Sequence, residues 1–389
     1  IFKNNPLLNM QKQIMETLRT ASFFLWILIS NIGVAHANNV FKNLTVNEGL
    51  AHTDANCVAQ DSTGLIWVGT NAGLQKFNGY QLQTIDYYPF NQKIYEAHNR
   101  INALECSKDY LWIGSDSGLT CLDLNTHRYV PYTIIANDSN LLKERIHQLA
   151  TDNIHQRLWI RTENRLCIAK IEENNTLRIL NWENDNDRNI SWSYSKPAIR
   201  QGHVWTLTNN YLVQMEINDK IKIKNSYDLS DILQESRFSA LFIADDFLYL
   251  RFSQGCCRIT LTNGVPDMQH VSYINFHRID STIPKHTDGC FLIDNNETLW
   301  CSYFGGIFKV DNPFTQGTNI RSYLATNKDV NFSLGTIRSL FIDTYNNLWI
   351  PMASRGLYYR SLQPSPFHSI SDEMLEEIGV SKSEITSIT

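Results

Sequence analysis

The chain has 389 residues, 43% of them hydrophobic and 19% charged, a globular composition with enough apolar side chain for a large core, which excludes a wholly disordered chain. Its 34 basic and 39 acidic residues leave a formal charge of -5. No long basic run is present to follow a phosphate backbone, so nucleic acid is not an expected partner. Aromatic residues make up 11% of the chain, and Gly and Pro are spread along it rather than gathered in one linker. That distribution suits a β-rich protein with many turns.

Residues 1–9 precede start codons at Met10 or Met15 and read as upstream translated sequence. Lys12 and Arg19 then supply a basic region, residues 21–34 (ASFFLWILISNIGV) an apolar one, and Ala35-His36-Ala37 a small-x-small cleavage site. The apolar stretch falls short of the roughly 20 residues that span a bilayer. Residues 10–37 are therefore expected to be a signal peptide, with an exported mature chain that begins near Asn38.

From residue 56 onward one unit recurs seven times: an apolar strand, an Asp/Asn turn, Leu-Trp-apolar, a Gly or Asn turn and another strand. The marker positions are Trp67, Trp112, Trp159, Trp205, Tyr249, Trp300 and Trp349, spaced 44 to 51 residues apart. This is the period of a four-stranded propeller blade. An outer strand is expected after each of the first six copies, over residues 81–86, 129–134, 178–182, 222–228, 270–276 and 320–324. Such meanders bury only one another and must be arranged radially or stacked. The expected fold is all-β, a seven-bladed propeller over residues 40–363. Each marker aromatic is expected to anchor neighbouring blades, its indole N–H on a backbone acceptor.

The eight cysteines show no small-scaffold spacing. Cys106 and Cys121 fall on the first and third strands of one meander, about twice the 4.8 Å strand spacing apart and beyond disulfide reach. Cys256 and Cys257 point to opposite faces of one strand. No CxxC and no His/carboxylate ligand motif stands out, so neither metal nor other cofactor is expected.

Asp61 to Thr70 with Gly73-Leu74 resembles the repeat of the two-component regulator propeller family, Asp-x-x-Gly-x-Leu/Ile-Trp-Ile/Val-Gly-Thr followed by Gly-Leu. The opening residues 41–57 also look like the start of the sensor region of hybrid two-component systems of gut Bacteroidetes. The resemblance covers residues 40–389, decaying in the third to fifth copies, where Arg161, Thr206 and Arg251 stand in place of the small Gly. It implies a periplasmic, ligand-sensing region of a hybrid histidine kinase/response regulator anchored in the inner membrane through parts absent here. It further implies a non-enzymatic fragment, an oligosaccharide as ligand and a homodimer in the full-length protein. Residues 367–389 parallel residues 41–59 and are expected to begin a second, truncated propeller over 364–389. Residues 41–45 are then free to supply the seventh blade's outer strand and close the ring.

Two other readings stand beside sensing: a structural or protein-binding scaffold with the same repeat, and a propeller glycoside hydrolase. The segment from Asp61 to Trp67 resembles in outline the Asp-box of propeller sialidases, but those boxes are structural turns. Hydrolysis needs an acid/base carboxylate and a nucleophile that no spacing here identifies. For a ligand, the turns between second and third strands should emerge on one face beside the lead-ins to the inner strands. The candidate binding residues there are Arg100, Arg145, His147, Arg165, Asn209, Tyr303, Arg338 and Arg355. Their forked and planar groups hydrogen-bond hydroxyls or anions, and an aromatic can stack on a sugar ring. The competing reading is that the arginines pair with carboxylates such as Glu144 and Glu163.

Overall fold

The computed structural model describes residues 41–363 apart from 87–99, 136–142, 164, 173–175, 185–195, 201–202, 209, 218–220, 234–237, 286, 288, 325–331 and 333–334. The expected leader and the expected second propeller lie outside the described residues. Residues Phe41–Leu362 form one compact unit of seven antiparallel meanders, each of four strands. The first meander runs Ala55–Gln60, Ile66–Thr70, Gly73–Phe77 and Leu82–Ile85, from the channel outward. The seventh takes its outer strand, Lys42–Leu44, from the other end of the chain, paired antiparallel to Gly356–Ser361 through Asn43 opposite Tyr358. The ring is thus a seven-bladed β-propeller closed as the sequence led us to expect, the edge of Gly356–Ser361 covered by the strand from the other end of the chain.

The marker aromatics occupy one register position in every blade. Trp67 faces Ala59 across the first and second strands, Trp112 faces Glu105, Trp159 faces Ala150 and Trp205 faces Ala198. Tyr249, Trp300 and Trp349 face Phe242, Leu292 and Phe341 in the same way. All seven are buried, and each sits in its own cluster with side chains of the following blade. Trp67 packs with Leu111, Ile113 and Leu122 of the second blade, Trp112 with Leu158 and Ile160 of the third, and so on around the ring. Trp349 packs with Ile66, Val68 and Phe77 of the first blade. The core is therefore seven wedges between blades, because a twisted four-stranded sheet buries its faces only against a neighbour.

The indole N–H groups depart from expectation, since among the described residues their acceptors are side chains or none. Trp67, Trp300 and Trp349 donate to the carboxylates of Asp61, Asp294 and Asp343 at 2.8, 2.9 and 2.8 Å, and Trp112 donates to Ser107 Oγ at 2.8 Å. The same three aspartates cap the turn between first and second strands. The other carboxylate oxygen accepts from the backbone N–H groups two and four residues on, Thr63 and Leu65 in the first blade. Asn296 and Thr298 do so in the sixth, and Tyr345 and Asn347 in the seventh. The residue three places after each aspartate is left-handed: Gly64 (φ 90°), Glu297 (φ 58°) and Asn346 (φ 61°). The Asp-x-x-Gly signature thus encodes one turn whose carboxylate holds both the loop and the inter-blade Trp.

The glycine two residues after the Trp marks a close approach of blades. A Cβ on Gly69 would meet Cys57 Sγ at 2.5 Å and Ile101 Cγ2 at 2.6 Å, and one on Gly114 would meet Ile146 Cγ2 at 2.5 Å. In the fourth blade this place belongs to Leu207, paired with Leu212, and not to Thr206, one residue off. In the second blade the expected outer strand breaks. Arg128–Val130 pairs within the blade, whereas Thr133–Ile135 crosses to run parallel to Thr176–Arg178 of the third. All eight cysteines are unpaired. Cys256 and Cys257 fall in the wedges on opposite sides of the fifth blade.

Candidate functional site

In an antiparallel meander the turns between second and third strands share one end of the ring, the upper face, with the lead-ins to the inner strands. The turns between first and second strands share the lower face. Inner strands of all seven blades line a central channel of about 1080 Å³.

A β-bulge recurs near the upper end of the inner strands, between Ala55 and Cys57, Ile101 and Ala103, Ile146 and Gln148, and Phe238 and Ala240. The extra residue is Asn56, Asn102, His147 or Ser239. A bulge re-aims its side chain, and here it aims polar groups around the upper mouth. Asn56 Nδ2 donates to Ile101 O of the next blade at 2.8 Å and to Asn71 Oδ1 of its own turn at 2.9 Å. Asn102 Nδ2 donates to Ile146 O at 3.2 Å and to Asp116 Oδ1 at 2.8 Å. His147 Nε2 donates to Glu163 Oε2 at 2.6 Å. This bond and the nearby His147, Arg145 and Arg161 charges hold the Glu163 carboxyl below the usual carboxylate range.

The lead-in residues bridge backward. Arg145 Nε donates to Asp116 Oδ1 of the preceding blade at 2.9 Å. Asp54 Oδ2 accepts from Asn71 at 2.6 Å, and its other oxygen accepts from the Ser354 amide of the seventh blade. A polar belt therefore runs from the seventh blade through the first and second to the third.

Among the predicted candidates, Arg145 and His147 stand in this belt. Arg165 lies 3.4 Å from Glu144 Oε1, itself an acceptor for Thr162. Arg100 leads into the second blade's inner strand, its carbonyl bonded to the Asp116 amide. Arg338 occupies the corresponding place in the seventh blade, exposed at the channel wall, its amide on Pro351 O. Arg355 lies in the seventh blade's turn. Asn209 is outside the described residues. Tyr303 does not stand in a turn: it ends the strand Leu299–Tyr303 and is 7% exposed against Phe308. Strand pairing with Gly306 draws it into the wedge, and the neighbouring Phe304, 72% exposed, is the aromatic offered to solvent. Sequence reasoning missed Asn56 and Asn102, whose only signal is a polar residue near the head of an apolar strand. Among the described residues no cluster of His, Cys, Asp or Glu is placed to hold a metal.

The sequence profile of the two-component regulator propeller family matches residues 49–72. Over 67 residues the chain is 36% identical to histidine kinase P4 of Formosa agariphila, a stretch covering 16% of this chain and 5% of that one. The fold matches the extracellular domain of the hybrid two-component system BT3049 of B. thetaiotaomicron with a TM-score of 0.58 at 17% identity, over 85% of this chain and 43% of that one. The extracellular domain of the BT4673 system of the same organism matches with a TM-score of 0.56 at 17% identity, over 88% and 42%. This chain thus spans less than half the length of those domains. Virginiamycin B lyase of Staphylococcus aureus matches equally well, with a TM-score of 0.58 at 13% identity over 83% of this chain and 99% of that one, so the fold is shared with an enzyme and does not by itself name a function. The chain carries a two-component regulator propeller repeat in its first blade and has the propeller fold of the extracellular domains of such systems, as the motif from Asp61 to Leu74 implies.

Proposed function

We propose that this propeller is the periplasmic ligand-sensing part of a hybrid two-component regulator, that it binds an oligosaccharide on its upper face, and that it passes the signal to a kinase lying beyond this chain. The observation that carries the reading is the match of the first-blade repeat to the regulator propeller profile, in a ring with the fold of extracellular domains of two-component systems. No described helix is long and apolar enough to cross a membrane. The upper face offers the chemistry a sugar needs: guanidinium groups at Arg145, Arg165, Arg338 and Arg355 and the open ring of Phe304, around a mouth ordered by the committed amides of Asn56 and Asn102. Arg145 and Arg165 are paired with Asp116 and Glu144, so an acidic or sulfated oligosaccharide gains over a neutral one only by displacing those carboxylates from the forked guanidinium groups.

A glycan array on the secreted chain, followed by calorimetry on its best ligand, separates sensing from scaffolding. Replacing Arg165 and Arg355 together by Ala is expected to weaken that ligand at least about tenfold, roughly 1.4 kcal/mol. Retention of affinity within about threefold sinks the upper-face site, and a blank array favours a protein-binding scaffold.

A further inference from the structure

The central channel has a wall of unequal chemistry that the upper-face reading leaves unused. Blades four to seven present half-buried apolar side chains to the lumen, including Ile199, Phe242, Ile243, Ile293 and Leu340. Gln60 and Gln148, from the first and third blades, are polar. Apolar surface left inside a concave space is surface that an apolar ligand body covers with a gain.

The charges are equally uneven. Asp61 and Asp343 reach the lumen, but their oxygens are turned onto Trp67, Trp349 and turn amides. Lys196 on the wall is paired with Glu105. At the lower mouth Lys108 has no ion-pair partner among the described residues, and its φ of 39° fixes the turn that carries it. Around that mouth stand Ser62, Asn153, Asn295 and Thr344, all neutral hydrogen-bonding side chains. Arg338 also lines the channel, but it stands at the lead-in end, on the upper side; at the lower mouth one uncommitted cation, a neutral polar rim and an apolar wall make a site for a molecule with a single anionic head and an apolar body.

We infer that the channel is a second binding site, entered from the lower face, for a small amphipathic carboxylate whose head sits at Lys108 and whose body lies on the wall of blades four to seven. It is separate from the upper face and does not depend on oligosaccharide binding.

The test uses the full 389-residue chain with two probes, 3-phenylpropionate and its neutral amide, read by saturation-transfer NMR and calorimetry. The carboxylate should bind in saturable fashion about fivefold more tightly than the amide, the advantage of one partly exposed charge pair. Lys108→Gln should bring the carboxylate down to the amide's affinity. Ile243→Trp, which fills the lumen, should abolish both while near-ultraviolet circular dichroism shows the ring intact, and Arg165→Ala with Arg355→Ala should change neither. Should Ile243→Trp unfold the chain, Leu340→Phe serves as the same block. Absence of saturable binding, an advantage under about twofold, or wild-type carboxylate affinity in Lys108→Gln overturns the site, whatever a glycan array shows.

Discussion

At the scale of the residue, one carboxylate does the work of a turn and of a blade joint. Asp343 is buried and accepts from two backbone amides, from Asn347 Nδ2 and from the Trp349 indole. Removing it leaves several buried donors unmet, and hydrogen bonds to a charged acceptor are each worth about 1.5–3 kcal/mol. Asp343→Ala is accordingly expected to cost about 3–5 kcal/mol in urea denaturation. In the second blade the same Trp rests on a single neutral hydroxyl, Ser107 Oγ, and Ser107→Ala should cost about 1 kcal/mol. Equal losses in the two variants would show that the charge on the aspartate is irrelevant to the joint. The third and fourth blades go further: Trp159 and Trp205 leave their indole nitrogens without an acceptor among the described residues. Their retention indicates that wedge packing, not the hydrogen bond, is the main term at this position.

At the scale of the element, the wedges set the thiol chemistry. Strands that pack on both faces place small hydrophobic cysteines in the joints, and burial pushes the thiols of Cys121, Cys167, Cys257 and Cys301 up to about 12 from an ordinary 9.0. A group whose folded pKa is raised keeps its proton in the native state after the unfolded chain has lost it. The unfolded state then binds fewer protons, and stability falls as pH rises. Stability should therefore be level to about pH 8 and decline above pH 9, the unfolded value, towards 12. Urea midpoints at pH 7.5 and 10 check this, and iodoacetamide at pH 8 should label these four thiols only after unfolding. Rapid labelling of the native protein would mean that the wedges open. Gly69 and Gly114 belong to the same geometry, since they let one blade's second strand approach the next blade's inner strand. Decayed blades fill the place otherwise. Arg251, fully buried, extends its guanidinium to the carbonyls of Phe252, Gly255 and Thr287 and over the Phe276 ring.

At the scale of the whole molecule, the ring depends on one three-residue strand. Lys42–Leu44 covers the edge of Gly356–Ser361, and Phe41 enters the wedge against Phe332 with ring centroids 5.6 Å apart. A chain beginning at Val46 loses that buried aromatic and opens an edge. It is expected to lose about 3–5 kcal/mol, the cost of a large aromatic truncation, and to associate with rising concentration through the bared strand. Light scattering behind gel filtration and thermal melts measure both, and a monomeric truncation of unchanged stability would show that closure contributes nothing.

The seven-blade count, the equivalence of the marker aromatics and the closing strand were legible in the sequence because each is a local pattern. A strand, an Asp turn and a Trp at fixed spacing repeat whether or not the fold is known, and the leftover strand at residues 41–45 fits the one blade that lacks an outer strand. What only the tertiary structure decided lies between blades. The acceptor of each indole depends on how a turn curls back, so Asp61, Asp294 and Asp343 replaced the expected backbone carbonyl. Burial of Tyr303 and exposure of Phe304 depend on which residue ends a strand, a one-place difference that alternation alone does not fix. The polar belt of Asn56, Asn102 and His147 depends on bulges that leave no mark in a single repeat. Its partners come from the far turn of the same blade, as Glu163 does for His147, or from the neighbouring blade, as Ile101 O does for Asn56 and Asp116 for Arg145, 45 and 29 residues away in sequence. Short-range physics writes the blade, and the meeting of blades writes the surface on which a ligand can be held.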